Sequence, residues 1–311
     1  MCTAILYRNG DAYFGRNLDL ERGYGERVVI TPRNYEIKMR CMGSLKTHYG
    51  MIGMAAVVSG FPLYFEATNE WGLSAAGLNF PGNAWYPDYA PGKKNVTPFE
   101  FIPWVLGCCT SVEGAKEKME NLNLVNLDFD DELKLSPLHW IICDQERSVV
   151  VESMKGGLKI WDNPLEVLTN NPPFDYHLMN MSNYMGLTVG PAVMKFPKQL
   201  PMENYSQGMG ALGLPGDFSS ASRFVRACFV KENSICDKNE DASVNQYFHI
   251  LDAVAMPKGC VWTKNGYEYT RYSCCCSVQK GIYYYKTYEE TGIKAIDIHG
   301  VNLDGADLKL F

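Results

Sequence analysis

The first nineteen residues show the hydrophobic pattern of a β-hairpin. Cys2 to Tyr7 form one predicted strand, and Ala12 to Leu18 form its return strand. Asn9-Gly10 lies between them, and this pair favours tight hairpin turns because both central positions need positive φ. A two-residue turn would place Cys2 opposite Asn17, and a three-residue turn would place Cys2 opposite Leu18.

Short apolar runs bounded by turn residues predict further strands. These runs are Arg27–Thr31, Gly50–Val58, Leu138–Cys143, Ser148–Met154, Leu158–Trp161, Leu165–Thr169, Tyr267–Val278, Ile282–Tyr288 and Ile293–Ile298. The four runs between 138 and 169 follow one another across short turns, which predicts an antiparallel meander. We predict loops for the apolar stretch Gly60–Phe65, the mixed acidic and apolar stretch Leu127–Leu135, and the segment Pro191–Gly216.

Capping signals predict four helices. Their predicted limits are Thr97–Trp104, Thr110–Leu122, Ser219–Glu232 (with Ser219 or Ser220 as cap) and Asp241–Ala255. The first two begin with capping boxes, and the first also has proline at its first helical position.

The elements follow in the order strands, two helices, strands, two helices, strands. Antiparallel hairpins interrupted by paired helices predict an α+β fold, a four-layer sandwich of two stacked antiparallel sheets with the helices outside. We find no linker composition, so we expect one domain over residues 1–311.

Composition narrows the class of protein. The hydrophobic fraction of 46% suffices for a sizeable core, and the net charge of −6 argues against a nucleic-acid partner. No apolar run approaches the roughly 18 residues that a membrane span needs. The eleven cysteines are odd in number, and we find no export signal, so we expect reduced thiols in a cytoplasmic protein.

Candidate chemistry begins at Cys2. If Met1 is removed, Cys2 carries a thiol and a free α-amine, whose unperturbed pKa values are about 8.5 and about 7.7–8.0. An uncharged amine can take the thiol proton, as in other nucleophiles paired with an N-terminal amine. Either hairpin register brings Arg16 near the thiol and Asp19 near the amine. A non-catalytic hairpin with an arginine and an aspartate is the alternative, and this stretch alone does not decide between them.

Other reactive side chains give weaker evidence of a functional site. Cys274-Cys275-Cys276 would alternate faces on a strand and cannot converge on a metal ion. No cysteine or histidine spacing predicts zinc, and the acidic loop lacks the spacing of a calcium site. We therefore expect neither metal nor cofactor. Arg223 is unusual, because a helix N-terminus favours anions. It either faces a carboxylate, a thiolate or a substrate, or it is a surface arginine.

Several segments together resemble the choloylglycine hydrolase family, the bile salt hydrolases and penicillin V acylases of the N-terminal nucleophile hydrolases. The similar segments are Met1–Thr3, Gly15–Asp19, Asn69–Gly82, Val167–Pro172, Gly213–Phe218, Ala221–Arg223, Gly281–Tyr288 and Asn302–Gly305. The resemblance spans nearly the whole chain and implies an αββα fold and a homotetramer.

The resemblance also implies an activity, the hydrolysis of the amide of conjugated bile acids through a thioester acyl-enzyme. The family's catalytic residues correspond to Cys2, Arg16, Asp19, Asn79, Asn170 and Arg223. In these roles Cys2 is nucleophile and base, and Asp19 orients the amine. The Asn170 side chain and the Asn79 backbone N–H form the oxyanion hole. Arg16 lies by the thiol, and Arg223 supports the site.

A steroid would need apolar contacts over the nucleophile. The candidates are Leu18, Leu20, Val58, Phe61, Phe129 and Leu133, and core packing is the alternative for each. Three other functions stay open: a penicillin V acylase, an acyltransferase to other amines, and a non-catalytic binding protein on the same scaffold. Penicillin V acylases more often carry tyrosine where this chain has Asn79, which favours bile salts.

Overall fold

A computed structural model describes residues 1–196, 199–200 and 202–311, and two large sheets make up most of it. In chain order the strands are β1 (Cys2–Asn9), β2 (Asp11–Leu20), β3 (Arg27–Thr31), β4 (Ile37–Met39), β5 (Gly43–Leu45), β6 (Met51–Val58), β7 (Phe61–Asn69), β8 (Ser74–Asn79), β9 (Lys94–Val96), β10 (Leu122–Leu124), β11 (Leu138–Cys143), β12 (Ser148–Met154), β13 (Gly157–Asp162), β14 (Val167–Leu168), β15 (Val261–Thr263), β16 (Gly266–Ser277), β17 (Ile282–Thr287), β18 (Lys294–Asp297) and β19 (Lys309–Leu310). The α-helices are α1 (Phe101–Cys108), α2 (Val112–Lys118), α3 (Phe174–Asn180), α4 (Ser220–Asn233) and α5 (Glu240–Asp252). Short 3-10 turns occupy Pro98–Glu100, Met181–Tyr184, Met209–Ala211 and Ile298–Gly300.

The first sheet has the strand order β14-β1-β2-β16-β17-β18, with β15 added to β16. The second has the order β13-β12-β11-β8-β7-β6-β3-β19. Neighbouring strands in both sheets are antiparallel. Two small ribbons, β4 with β5 and β9 with β10, lie outside these sheets.

Alternating side chains on the second sheet supply two cores, as expected for strands buried on both faces. Ile30, Ile52 and Ile141 face the core that the first sheet shares. Val29 and Ile142 face the opposite core, which includes residues of α1 and α2. Helices α4 and α5 pack on the first sheet. The layers are therefore helices, sheet, sheet, helices, and the predicted αββα sandwich is confirmed.

The N-terminal hairpin follows the longer of the two predicted turns. Cys2 pairs with Leu18 and Ala4 pairs with Arg16 across β1 and β2. Gly10 lies between the paired residues at the turn with φ 83°, a conformation that glycine adopts without steric strain. This register places Arg16 on the strand next to the N-terminal residues.

The predicted loop at Gly60–Phe65 is wrong, because residues 61–65 belong to β7. Ser59 and Gly60 both have positive φ, at 50° and 79°, and Val58 pairs with Phe61. A two-residue turn with two positive φ values is the favoured hairpin connection. Pro62 is tolerated there because β8 pairs only with residues 66–68 of β7, which leaves this part of the strand without a second neighbour.

Several of the predicted helix limits also need correction, among them those of the last helix, predicted at Asp241–Ala255 and found at Glu240–Asp252. Ser111, and not Thr110, caps α2, since its hydroxyl accepts from the backbone N–H of Gly114. That helix ends at Lys118, because Leu122 already belongs to a strand. The capping box at Thr97 and Glu100 is confirmed, and its helix continues past Trp104 to Cys108.

The predicted meander is correct for three strands, β11, β12 and β13. Its fourth strand leaves the second sheet. After a turn at Glu166, which has φ 58°, β14 pairs with Ala4 and Ile5 of β1 in the first sheet. This change of sheet brings Asn170 to the N-terminal strand. None of the helices in the described part of the chain is long and apolar enough to cross a bilayer.

Candidate active site

Cys2 lies on β1 between β2 and β14, and only 2% of its surface is exposed. Its backbone N–H donates to Asn170 Oδ1 over 2.8 Å, and its carbonyl accepts from Arg223 Nη1 over 2.6 Å. The residue is therefore held from both sides by groups that come from distant parts of the chain.

The side chain of Asn170 connects three parts of the site. Its Oδ1 accepts from Cys2 N and from Arg223 Nη2, the latter over 2.7 Å. Its Nδ2 donates to the carbonyl of Asn79 over 2.7 Å. Because the oxygen meets only donors here and the nitrogen meets an acceptor, the orientation of the amide is determined.

A second group of residues holds the backbone of Asn170. Ser220 Oγ accepts from its N–H over 2.8 Å, and His177 Nε2 lies 2.9 Å from its carbonyl. A carbonyl can only accept, so Nε2 carries the hydrogen. Burial is the main cause that lowers the pKa of His177 from 6.5 to about 4, so the ring is neutral at physiological pH.

Arg223 is fully buried in the first turn of α4. It donates to the carbonyl of Phe218 and to Thr3 Oγ1, in addition to Cys2 and Asn170. Burial lowers its pKa, while Asp19 and Cys2 act in the opposite direction. The cation at this helix N-terminus therefore does face acidic and acceptor groups, which answers the question that the sequence raised.

Asp19 is fully buried on β2. Its Oδ1 accepts from Thr270 Oγ1 over 2.6 Å, and its Oδ2 lies 4.0 Å from Arg223 Nη1. Its backbone pairs with Met1, whose N-terminal ammonium also forms an ion pair with Glu268. Among the described residues Oδ2 has no hydrogen-bond partner, which leaves an acceptor facing the N-terminal region.

Arg16 is fully buried between the two sheets. Its Nη1 donates to the carbonyls of Phe65 and Gly77, over 2.9 and 2.7 Å. Burial alone would lower its pKa, but nearby acidic groups, Cys2 first among them, raise the pKa above its ordinary value. Nε and Nη2 have no hydrogen-bond partner within the described part of the chain.

The structure thus brings together the six residues predicted as catalytic. Sequence reasoning missed their supporting partners, Thr270, His177 and Ser220. The only sequence signal for any of the three was the predicted helix cap at Ser219 or Ser220. That signal marked the start of a helix and did not indicate that Ser220 binds the backbone of Asn170. Among the described residues, no group of three or more histidine, cysteine or acidic side chains is arranged to hold a metal ion.

The predicted substrate contacts fall into two groups. Leu18 and Leu20 belong to β2, and both pack in the core that contains Cys2. The other four lie at the tip of the β6–β7 hairpin and in the loop beside it, and they are Val58, Phe61, Phe129 and Leu133. The Phe61 and Phe129 rings are in edge contact at 5.9 Å, and both also contact Phe99.

Known proteins are similar to this chain over almost its whole length. Residues 2–311 match the family described as linear amide C–N hydrolases, choloylglycine hydrolase family. The bile salt hydrolase/transferase of Lactiplantibacillus plantarum is 50% identical over 99% of this chain and 95% of its own. A crystal structure of a mutant conjugated bile acid hydrolase from Clostridium perfringens superposes with a TM-score of 0.93 at 37% identity, covering 100% of this chain and 96% of the other.

A more distant structure shares the fold. The penicillin V acylase of Agrobacterium tumefaciens superposes with a TM-score of 0.77, covering 99% of this chain and 90% of its own, at 21% identity. At that identity the similarity indicates the architecture and carries no information about the substrate.

Acidification should weaken the fold through His177. Its pKa is lower in the folded chain than in the unfolded one, so the unfolded state binds more protons between pH 6.5 and about 4. We expect this histidine to remove about 3 kcal/mol from the free energy of unfolding across that window. The measurement is denaturant unfolding from pH 7 to 4.

A His177→Gln variant, which can still donate to Asn170, should lose this part of the pH dependence. The exposed His249 serves as control, and His249→Gln should leave the profile unchanged. An unaltered profile in His177→Gln would contradict the assignment.

Proposed function

The chain belongs to the choloylglycine hydrolase family and is an enzyme that cleaves linear amides, and from this membership we propose that it hydrolyses conjugated bile salts with Cys2 as the nucleophile. The observation that carries the proposal is the position of the Cys2 nitrogen, 2.8 Å from Asn170 Oδ1. Asp19 adds a second buried acceptor, because its Oδ2 has no hydrogen-bond partner among the described residues. The site therefore offers acceptors for a free ammonium at that position.

The first step needs the α-amine of Cys2, and hence removal of Met1. The uncharged amine takes the thiol proton, and the sulfur attacks the amide carbonyl. The amine then gives this proton to the leaving nitrogen, so that the C–N bond breaks and a thioester remains. Water, deprotonated by the same amine, hydrolyses the thioester and restores the thiol.

The tetrahedral intermediate carries a negative oxygen that needs fixed donors. Asn170 Nδ2 uses one hydrogen on the Asn79 carbonyl, and its second hydrogen is proposed as one donor. The backbone N–H of Asn79 is proposed as the other. Because each such donor is worth about 2.7–4 kcal/mol in related sites, the fixed amide of Asn170 is a large part of the proposed catalysis.

Arg16 and Arg223 supply positive charge on either side of the nucleophile. The Cys2 thiol acts to raise the pKa of both arginines. In the proposed mechanism Arg16 stabilises the thiolate, and Arg223 fixes the backbone of Cys2 and the side chain of Asn170. Asp19 orients the amine.

The relatives that are 50% and 37% identical carry bile salt or bile acid hydrolase names, and this supports the bile salt as substrate class. We propose that the steroid contacts Leu18 and Leu20 beside the nucleophile and reaches the hairpin tip with Val58 and Phe61. Phe129 and Leu133 then line the far side. A steroid buries much more apolar area than the phenoxyacetyl group of penicillin V. Each Å² of buried apolar area contributes roughly 25 cal/mol to binding, so this site should bind the steroid more tightly.

We also propose that the chain forms a homotetramer. The segment from 176 to 212 exposes many large apolar side chains, which a monomer would leave in water. They are Tyr176, Met179, Met185, Val189, Val193, Met194, Phe196, Leu200, Met202, Tyr205 and Leu212, and we call this set the apolar arm.

A cytoplasmic location is proposed as well, since all eleven cysteines are unpaired.

Replacing the nucleophile should abolish hydrolysis. Cys2→Ser should fold and lose roughly 10³-fold or more in kcat with glycocholate, because a hydroxyl is a poor nucleophile without a stronger base. Cys276→Ala is the control, since burial raises the pKa of that thiol to about 12 and makes it inert.

Mass spectrometry of the active protein should show that Met1 is absent. Full activity with Met1 retained would contradict the built-in base.

Substrate preference tests the proposed acyl site. We expect kcat/KM for glyco- and taurocholate to exceed that for penicillin V. Phe61→Ala should raise KM for the bile salts by about tenfold, since the ring's lost apolar contact is worth about 1.4 kcal/mol, and should affect penicillin V less. The control is Trp71→Ala, an exposed aromatic just beyond the other end of β7. Better hydrolysis of penicillin V would overturn the bile salt assignment and leave the cysteine chemistry intact.

Charges in the apolar arm should disrupt the tetramer. A Phe196→Asp, Tyr205→Asp variant should reduce the molar mass measured by light scattering from four subunits of 35.0 kDa towards one, because buried charges would oppose association. The exposed Ile235 lies outside the arm, and Ile235→Asp should leave the mass unchanged. An unmodified protein that is monomeric would contradict the proposal.

A further inference from the structure

Glu66 is a buried carboxylate that the proposed mechanism does not use. Only 1% of its surface is exposed. Its Oε2 accepts from Tyr272 OH and its Oε1 from Tyr283 OH, both over 2.7 Å. Its Oε1 also accepts from the backbone N–H of Met54 over 3.3 Å. A buried charge with this many dedicated partners calls for a physical reason.

A β-bulge places Glu66 between the sheets. In β7, Tyr64 pairs with Ala55 and Glu66 pairs with Met54, so Phe65 is an extra residue without a partner. Tyr64 faces the core next to α1 and α2, whereas Phe65 packs against the core shared with the first sheet. Glu66 reaches the tyrosines of that same sheet. The extra residue therefore turns two consecutive side chains towards the active site, as bulges near such sites often do.

The surroundings of Glu66 offer donors and a cation to its carboxylate form. Its hydrogen-bond partners are two hydroxyls and one backbone N–H, and each can donate to a carboxylate. Burial raises the pKa of Glu66, and Arg16 and the two tyrosines offset only part of this rise. Arg16 is the cation that faces this carboxyl group and favours its charged form.

Glu66 affects Arg16 through charge and not through a direct hydrogen bond. Its Oε2 lies 3.8 Å from Arg16 Nε, which is too long for a hydrogen bond. The guanidinium is instead positioned by the carbonyls of Phe65 and Gly77. The carboxylate is therefore free to act as a fixed counter-charge.

Two sets of charges meet at this point. The Cys2 thiol interacts electrostatically with Arg16, Arg223 and the N-terminal amine. Arg16, Tyr272, Tyr283 and the thiol of Cys274 face Glu66. Arg16 belongs to both sets, and Glu66 is the anion that offsets its charge, with Oε2 3.8 Å from Arg16 Nε.

We propose that Glu66 is a positioning residue that partly neutralises Arg16 and so sets how the proton is shared between the Cys2 thiol and the α-amine. The proposal rests on the role of Cys2 in the proposed function. Without the carboxylate, the uncompensated charge of Arg16 would draw the thiol into the thiolate form at lower pH. Glu66 touches neither substrate nor nucleophile in this role.

The test is a pH titration of the Cys2 thiolate in the processed protein. Thiolate is measured as the ultraviolet absorbance difference between each variant and the same variant with Cys2→Ala, so no substrate is needed. Glu66→Gln should move the midpoint down by about one pH unit, the shift that a buried charge a few ångströms beyond Arg16 exerts. Glu66→Asp, which keeps the charge, should stay close to the unmodified protein.

Glu100→Gln is the matched control, because Glu100 is equally buried but caps the 3-10 turn before α1. It should leave the midpoint unchanged whatever its stability. If Glu66→Gln does not fold, a Tyr272→Phe, Tyr283→Phe variant replaces it. The carboxylate then loses two donors and takes up a proton, so the midpoint should again fall.

An unchanged or raised midpoint in whichever of these variants folds would overturn the proposal. That outcome is separate from a failure of the proposed function, which would appear as an active Cys2→Ser variant or as a lack of bile salt hydrolysis. The same downward shift should appear on the acidic side of the kcat/KM profile of Glu66→Gln.

Discussion

The structure depends most on the burial of one guanidinium. Arg223 has no exposed surface, so its N–H groups must all find acceptors inside the protein. It finds them in the loop before α4, on β1 and at the end of β14. Removing one partner from such a buried charge typically costs about 3–5 kcal/mol. The contacts that bury this side chain are therefore also contacts that assemble the site around Cys2.

Buried hydrogen bonds also hold much of the rest of the site, although Arg16 Nε and Nη2 and Asp19 Oδ2 have no partner among the described residues. The groups around Cys2 are bonded to backbone atoms or to side chains that are themselves buried, as Arg16 is to the Phe65 and Gly77 carbonyls. Charges occur in opposing pairs, with Arg223 near Asp19 and Arg16 near Glu66. Donors and charges held in this way need little rearrangement during reaction, which is the main source of electrostatic catalysis.

Local patterns predicted the elements well and the long-range contacts poorly. The Asn9-Gly10 turn, the Thr97 capping box and the strands β3, β11 and β12 follow from residues close in sequence. Asp19 and Thr270, by contrast, are separated by 251 residues, and no periodicity connects them. The hairpin alone placed Cys2, Arg16 and Asp19 together. Asn79, Asn170 and Arg223 joined them only through the family resemblance.

The errors have physical causes. The strand at 61–65 carries proline and a dense apolar run, and its pairing on one side only does not show in the sequence. The fourth strand of the meander looks like the others, although β14 changes sheet. Short elements such as β4, β9 and α3 have too few residues for a period to emerge. Glu66 was missed because a single bulge reverses which side of the strand it faces.

In the proposed function, different parts of the fold carry the chemistry and the choice of substrate. The six proposed catalytic residues lie on paired strands, at a strand end or in the first turn of a helix, where packing and hydrogen bonds leave little freedom. Most of the proposed acyl contacts lie at a hairpin tip and in the loop after β10, where substitutions disturb fewer buried groups. A penicillin V acylase keeps the same architecture at 21% identity. The architecture alone thus cannot select the acyl group, and in the proposed function this selection comes from side chains such as Phe61 and Phe129 at the edge of the site.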